Sequence, residues 1–105
     1  MVQFPDKIKE TIDKYLLALG RNNIPIKEAF LFGSYATGNY REWSDIDIAL
    51  VSEIFVGDRI DDKDKIRNIT LSVSSEIEVI PFTPNEFNLD NPFVKQILKT
   101  GIKLI

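Results

Sequence analysis

The chain has 105 residues, 44% hydrophobic and 28% charged, with a formal net charge of −3. That length and composition suit one ordinary folded domain, read here as spanning residues 1–105. It contains neither cysteine nor histidine, which excludes disulfides, thiolate zinc, thiol nucleophiles, imidazole ligands and Ser-His-Asp triads. Chemistry is left to carboxylates, hydroxyls, amines and the backbone. The acidic balance argues against direct nucleic-acid binding over a broad surface. No apolar run approaches membrane-spanning length, and the opening MVQFPDKIKE has no basic-then-apolar leader. The expected compartment is the cytoplasm, with no membrane partner.

In chain order, the first predicted element is a helix. Ile8, Ile12, Tyr15, Leu16 and Leu19 share one face, Pro5 and Asp6 suit its first turn, and Gly20 suits its end. KEAFLF then reads as a short buried strand ending at Gly33, and DIDIALV, after a loop, as a second strand. Asp58 to Ser74 reads as a helix with Ile66, Ile69 and Val73 on one side. Within it, DRIDDKDK is expected to be a solvated helix start, with Asp favoured by the dipole. EIEVIPF is a third strand, stopped by Pro81 and Pro84. NPFVKQILKT is a last helix with Phe93, Val94, Ile97 and Leu98 inward, and IKLI closes the chain as a possible strand. The alternation predicts an α+β fold, one mixed sheet with helices packed on it.

Two features of this order carry chemistry. In DIDIALV, alternation turns Asp45 and Asp47 to one face and Ile46 and Ile48 to the other. Their Cα atoms are expected about 6.6 Å apart, which lets both carboxylates reach one divalent cation or bridge two. Without a cation the two charges repel and one tends to hold a proton. The plainer alternative is turn and cap chemistry at a strand entrance. A second acidic strand favours the metal reading, since Glu76 and Glu78 share a face in EIEVIPF. An EF-hand is excluded, because Leu50 stands where the loop needs glycine.

The other feature is the Gly33-Ser34 turn after the first strand. A small residue there admits an anion to backbone N–H groups, and the Ser34 hydroxyl adds a donor. It is neither a Walker loop nor a G-x-G-x-x-G, and GSYATGNY alone reads equally well as a polar connection. An anion turn and a metal pair on successive strands together describe a site for a nucleoside triphosphate. Trp43, Tyr35 and Tyr40 flank it, and each is more often packing than base recognition.

GSYATGNYREWSDIDIAL resembles the Gly-Ser-x₁₀-Asp-x-Asp signature of the DNA polymerase β-like nucleotidyltransferase superfamily, with ten residues between Ser34 and Asp45. It is most similar to the minimal nucleotidyltransferases that occur as antitoxins beside HEPN-domain toxins. IEVIPFTPNEF resembles the family's third-carboxylate strand, with Glu78 at the acidic position. Two positions depart from the pattern. Thr37 stands where many relatives carry Arg, leaving Arg41 as a substitute contact, and Glu78 stands where Asp is usual.

The resemblance implies a nucleotidyltransferase fold in which Gly33 and Ser34 hold the β and γ phosphates of ATP. It further implies that Asp45, Asp47 and Glu78 bind Mg²⁺, as two ions, with Glu78 also helping to deprotonate an acceptor hydroxyl. AMP would pass to that hydroxyl, a tyrosine of a partner HEPN toxin, because a chain of this size has no room for an acceptor-holding domain. The departures motivate one alternative, an antitoxin that neutralises by binding alone; a further alternative, a regulator that labels a signalling protein, differs only in acceptor.

Overall fold

The computed structural model describes residues 4–105; residues 1–3, the start of the segment read as lacking a leader, lie outside the described residues. Helix α1 (Asp6–Arg21) follows Pro5 and buries Ile8, Ile12, Tyr15 and Leu19, the face that its 3.6-residue spacing predicts. It runs one residue past Gly20, and the turn after it is made by Asn22 and by Asn23 at φ 59°. Strand β1 (Glu28–Phe32) leads through Gly33 into a four-residue helix α2 (Ser34–Thr37), where a plain polar connection was the simpler expectation. Strand β2 (Ile46–Val51), helix α3 (Arg59–Val73), strand β3 (Ile77–Phe82), helix α4 (Pro92–Thr100) and the two-residue strand β4 (Ile102–Lys103) complete the order.

The four strands form one mixed sheet in the order β3-β2-β1-β4. β1 is antiparallel to β2 and to β4, whereas β2 and β3 run parallel with α3 as the crossover. Alternation along the strands divides the core. Ala29, Leu31, Ile46, Ile48, Leu50, Ile77 and Val79 face α1 and α3. Phe30, Ala49, Val51 and Phe82 face α4 through Val94 and Ile97. The Tyr15 hydroxyl, 2.7 Å from Thr70 Oγ1, ties α1 to α3. Burial pushes its pKa up to about 12, the Thr70 hydrogen bond only partly opposing that.

Two expectations about faces need correction. On α4, Phe93 and Leu98 keep 37% and 41% of their surface exposed and only Val94 and Ile97 are buried, because nine residues of helix crossing a narrow sheet offer one buried stripe. Phe93 still leans on the sheet edge-on to Phe32, with ring centroids 5.6 Å apart. The start of α3 is not uniformly solvated either: Asp62 is 1% exposed. Its carboxylate turns back onto the loop before the helix and accepts from the Val56 N–H at 2.9 Å and the Gly57 N–H at 3.0 Å. Lys65 Nζ donates to it at 3.1 Å. Asp58 is the cap, accepting from the Ile60 and Asp61 N–H groups. Among the described residues no helix is long and apolar enough to cross a membrane.

Candidate active site

The site is assembled at one end of the sheet, where β1 finishes and β2 and β3 begin. Pairing of β1 with β2 sets Phe32 opposite Asp47, and the parallel pairing of β2 with β3 sets Glu78 beside Asp47. In parallel strands residues in register share a face, so both carboxylates emerge on the α4 side. Asp45 lies just outside the strand, which begins at Ile46, and is exposed, whereas Asp47 is half-buried. The two aspartates therefore differ in environment. Asp47 is anchored in the ladder; Asp45 sits on the loop that feeds it. Glu76 is likewise outside β3, and its carbonyl accepts from the Ile46 N–H at 2.9 Å.

Gly33 closes the site from the β1 side. It has φ 74° and ψ −151°, a conformation that only glycine adopts without strain. A Cβ there would overlap Asp47 Oδ2 and come within 3.1 Å of Asp47 Cγ. The missing side chain is thus the space that Asp47 occupies. The Gly33 carbonyl accepts from Ala36 and Thr37 N–H groups, fixing Ser34 as the first residue of α2 directly after this turn. Thr37 directs its hydroxyl to the Gly33 carbonyl at 3.3 Å, a bond within the turn itself. Arg41 lies beyond Gly38, in a turn closed by Ser44, and borders a hollow of about 590 Å³ with Tyr35, Tyr40, Glu42 and Glu76. Tyr35 stacks on Tyr40 at 4.8 Å and is buried, a packing role, while Trp43 is 76% exposed.

Electrostatics single out Asp47. Partial burial, then the nearby charges of Asp45 and Glu78, hold its pKa above the ordinary carboxylate value. The three acids are thus within electrostatic reach of one another. Hard carboxylate oxygens crowded in this way fit a divalent cation, which reverses the repulsion. They are not drawn into a ready-made cluster: among the described residues no three acidic side chains are grouped closely enough to hold an ion. Glu78 Oε1 instead accepts from Lys63 Nζ of α3 at 2.9 Å. Reasoning from sequence brings out Asp45, Asp47, Glu78, Gly33 and Ser34 but misses Lys63. Nothing in DRIDDKDK marks that lysine apart from its charged neighbours.

Residues 12–104 match the model of the nucleotidyltransferase domain family. Among solved structures, a chain of a toxin–antitoxin complex with AMP-PNP is 25% identical with a TM-score of 0.62, over 89% of this chain and 71% of that one. A Sulfolobus solfataricus protein described as a nucleotidyltransferase is 23% identical, TM-score 0.60, over 98% of this chain and 89% of its own. A chain from a complex of tri-AMPylated Shewanella oneidensis HEPN toxin with MNT antitoxin is 22% identical, TM-score 0.59, over 93% and 71%. At those last two identities the likeness is one of fold. No curated protein matches the chain. With the family matched over most of the chain and the Gly33 turn packed against Asp47, this chain belongs to the nucleotidyltransferase domain family.

Proposed function

We propose that the chain transfers AMP from ATP to a hydroxyl, a tyrosine of a HEPN-domain toxin, and so acts as that toxin's antitoxin. One observation carries the reading: the Gly33 turn and the carboxylates of Asp47 and Glu78 meet at one end of the sheet, in register. The complexes with AMP-PNP and with a tri-AMPylated HEPN toxin, to which this fold is similar, supply the donor and the acceptor class. A cytoplasmic setting, rich in ATP and Mg²⁺, suits the reading.

In this reading Gly33 and Ser34 orient the β and γ phosphates. Asp45 and Asp47 hold Mg²⁺, and Glu78 completes a second position. When bound, the ions neutralise the triphosphate and stabilise charge on the attacking and leaving oxygens of an in-line displacement. The acceptor oxygen forms a bond to the α phosphorus, the bond to the β-phosphate oxygen breaks, and pyrophosphate leaves. The hydroxyl proton passes to Glu78, an exposed carboxylate of the set. No histidine is needed at any step, consistent with a chain that has none.

A second reading, an antitoxin that only binds, is favoured by the Glu78–Lys63 contact, which holds the third carboxylate on a lysine. The double substitution Asp45→Asn, Asp47→Asn separates the two. We expect the variant to bind the HEPN protein but leave it unmodified, by intact mass, and active. Full inhibition by the double variant would establish neutralisation by binding and remove the enzymatic reading.

A further inference from the structure

Glu78 belongs to β3, an edge strand of the sheet, whose outer side pairs with no other strand among the described residues. Lys63 lies on α3, which packs against the opposite face from Asp47, so its side chain reaches around that edge to meet Glu78. Both residues are part-exposed and line a hollow of about 350 Å³ between α3 and β3, with Arg67 and Thr70 along its wall. Arg67 is already engaged by Asp64 at 3.6 Å, one turn away, so it does not compete for Glu78. The ammonium of Lys63 thus engages Oε1 of the Glu78 carboxylate, and it sets the net charge of the three acids nearer to that of a pair.

Building on the proposed nucleotidyl transfer, we infer that Lys63 is the resident counter-cation of Glu78 and competes with a metal ion for that carboxylate. Lys63 is a positioning residue, and it makes the two metal positions unequal. The position that would use Asp45 and Asp47 does not involve this contact. The position that would use Glu78 competes with the 2.9 Å ion pair, a competition shifted toward the metal once the triphosphate adds its own negative charge. Lys63 then swings into the hollow between α3 and β3, which has room for it.

The exposure of both partners makes this a weak latch. Exposed ion pairs are worth little, so its removal should tighten Mn²⁺ at the Glu78-dependent position by about two- to fivefold. The test is a Mn²⁺ titration followed by electron paramagnetic resonance, with and without AMP-PNP, on wild type, Lys63→Met, Lys63→Arg, Glu78→Gln and the double variant Lys63→Met, Glu78→Gln. The expected result is tighter second-ion binding in Lys63→Met, wild-type behaviour in Lys63→Arg, and no gain when Glu78→Gln is also present. Equal affinity in wild type and Lys63→Met overturns the inference. So does a gain that persists with Glu78→Gln, since that would be a diffuse effect of charge. An Asp47→Asn control distinguishes the two levels: Mn²⁺ binding indifferent to it sinks the metal reading and the latch together, whereas binding that depends on Asp47 but not on Lys63 sinks the latch alone.

Discussion

Asp47, in β2, and Asp62, in the first turn of α3, are both withdrawn from solvent, yet their surroundings push them in opposite directions. Asp62 is fully buried, which alone would raise its pKa, but the Val56 and Gly57 N–H groups and Lys65 outweigh burial and lower it. Asp47 has burial and two neighbouring acids, Asp45 and Glu78, and no compensating donor among the described residues, so its pKa rises. A buried carboxylate with every lone pair met is a structural device. One left crowded by like charges is suited to something that arrives later. The difference separates the loop that starts α3, where the carboxylate is satisfied within the fold, from the sheet end, the site proposed for binding.

The sharpest way to break the comparison is to neutralise each aspartate. Asp47→Asn should lower AMP transfer about a thousandfold, roughly 4 kcal/mol of transition-state stabilisation, with folding intact. Asp62→Ala should do the reverse: about 3 kcal/mol of stability lost by urea denaturation, from two buried N–H groups left without an acceptor, and transfer retained by the folded fraction. If Asp62→Ala abolished transfer in fully folded protein, the division of roles would be wrong. Gly33→Ala comes next. It forces an unfavourable φ and sets a methyl against the Asp47 carboxylate, so a stability loss of roughly 1–3 kcal/mol should accompany weaker AMP-PNP binding by calorimetry.

Acid titration gives the smallest and most specific contrast. Asp62, with a lowered folded pKa, stabilises the fold above its unfolded value of 3.8, and that contribution is lost as the pH falls below it. Asp47, with a raised folded pKa, binds its proton more tightly folded than unfolded. Metal-free protein should therefore gain a little stability as the pH falls from neutrality through the raised pKa toward 3.8. Thermal melts of wild type and Asp47→Asn across that range check it, since Asp47→Asn should remove the gain. Divalent cation should stabilise the wild type near neutral pH, and that benefit should fade as Asp47 takes up its proton.

Much of the frame was legible from residue periodicity alone. The α1 stripe, the apolar run of β2 and the alternation that sets Asp47 apart from Ile46 and Ile48 are local properties, and they survive folding unchanged. The sequence set a glycine turn and an acidic pair on successive strands, but only the antiparallel ladder that puts Phe32 opposite Asp47 packs Gly33 against that carboxylate. What escaped depends on tertiary geometry. Asp62 resembles the other charges of DRIDDKDK until the loop at Val56 and Gly57 folds back on it. The Lys63–Glu78 contact spans fifteen residues and exists only because β3 lies at the sheet edge. The exposure of Phe93 and Leu98 follows from where α4 crosses the sheet, which its own amphipathic pattern does not specify.

The central claim, nucleotidyl transfer to a protein hydroxyl, is tested most directly by the fate of two labels. ATP labelled at either the α or the γ phosphate is incubated with Mg²⁺, this protein and the HEPN-domain protein proposed as its partner. The account predicts that α label enters the HEPN protein while γ label leaves entirely as pyrophosphate. Entry of γ label, or an unlabelled partner in a mixture where the two proteins form a complex, would contradict it.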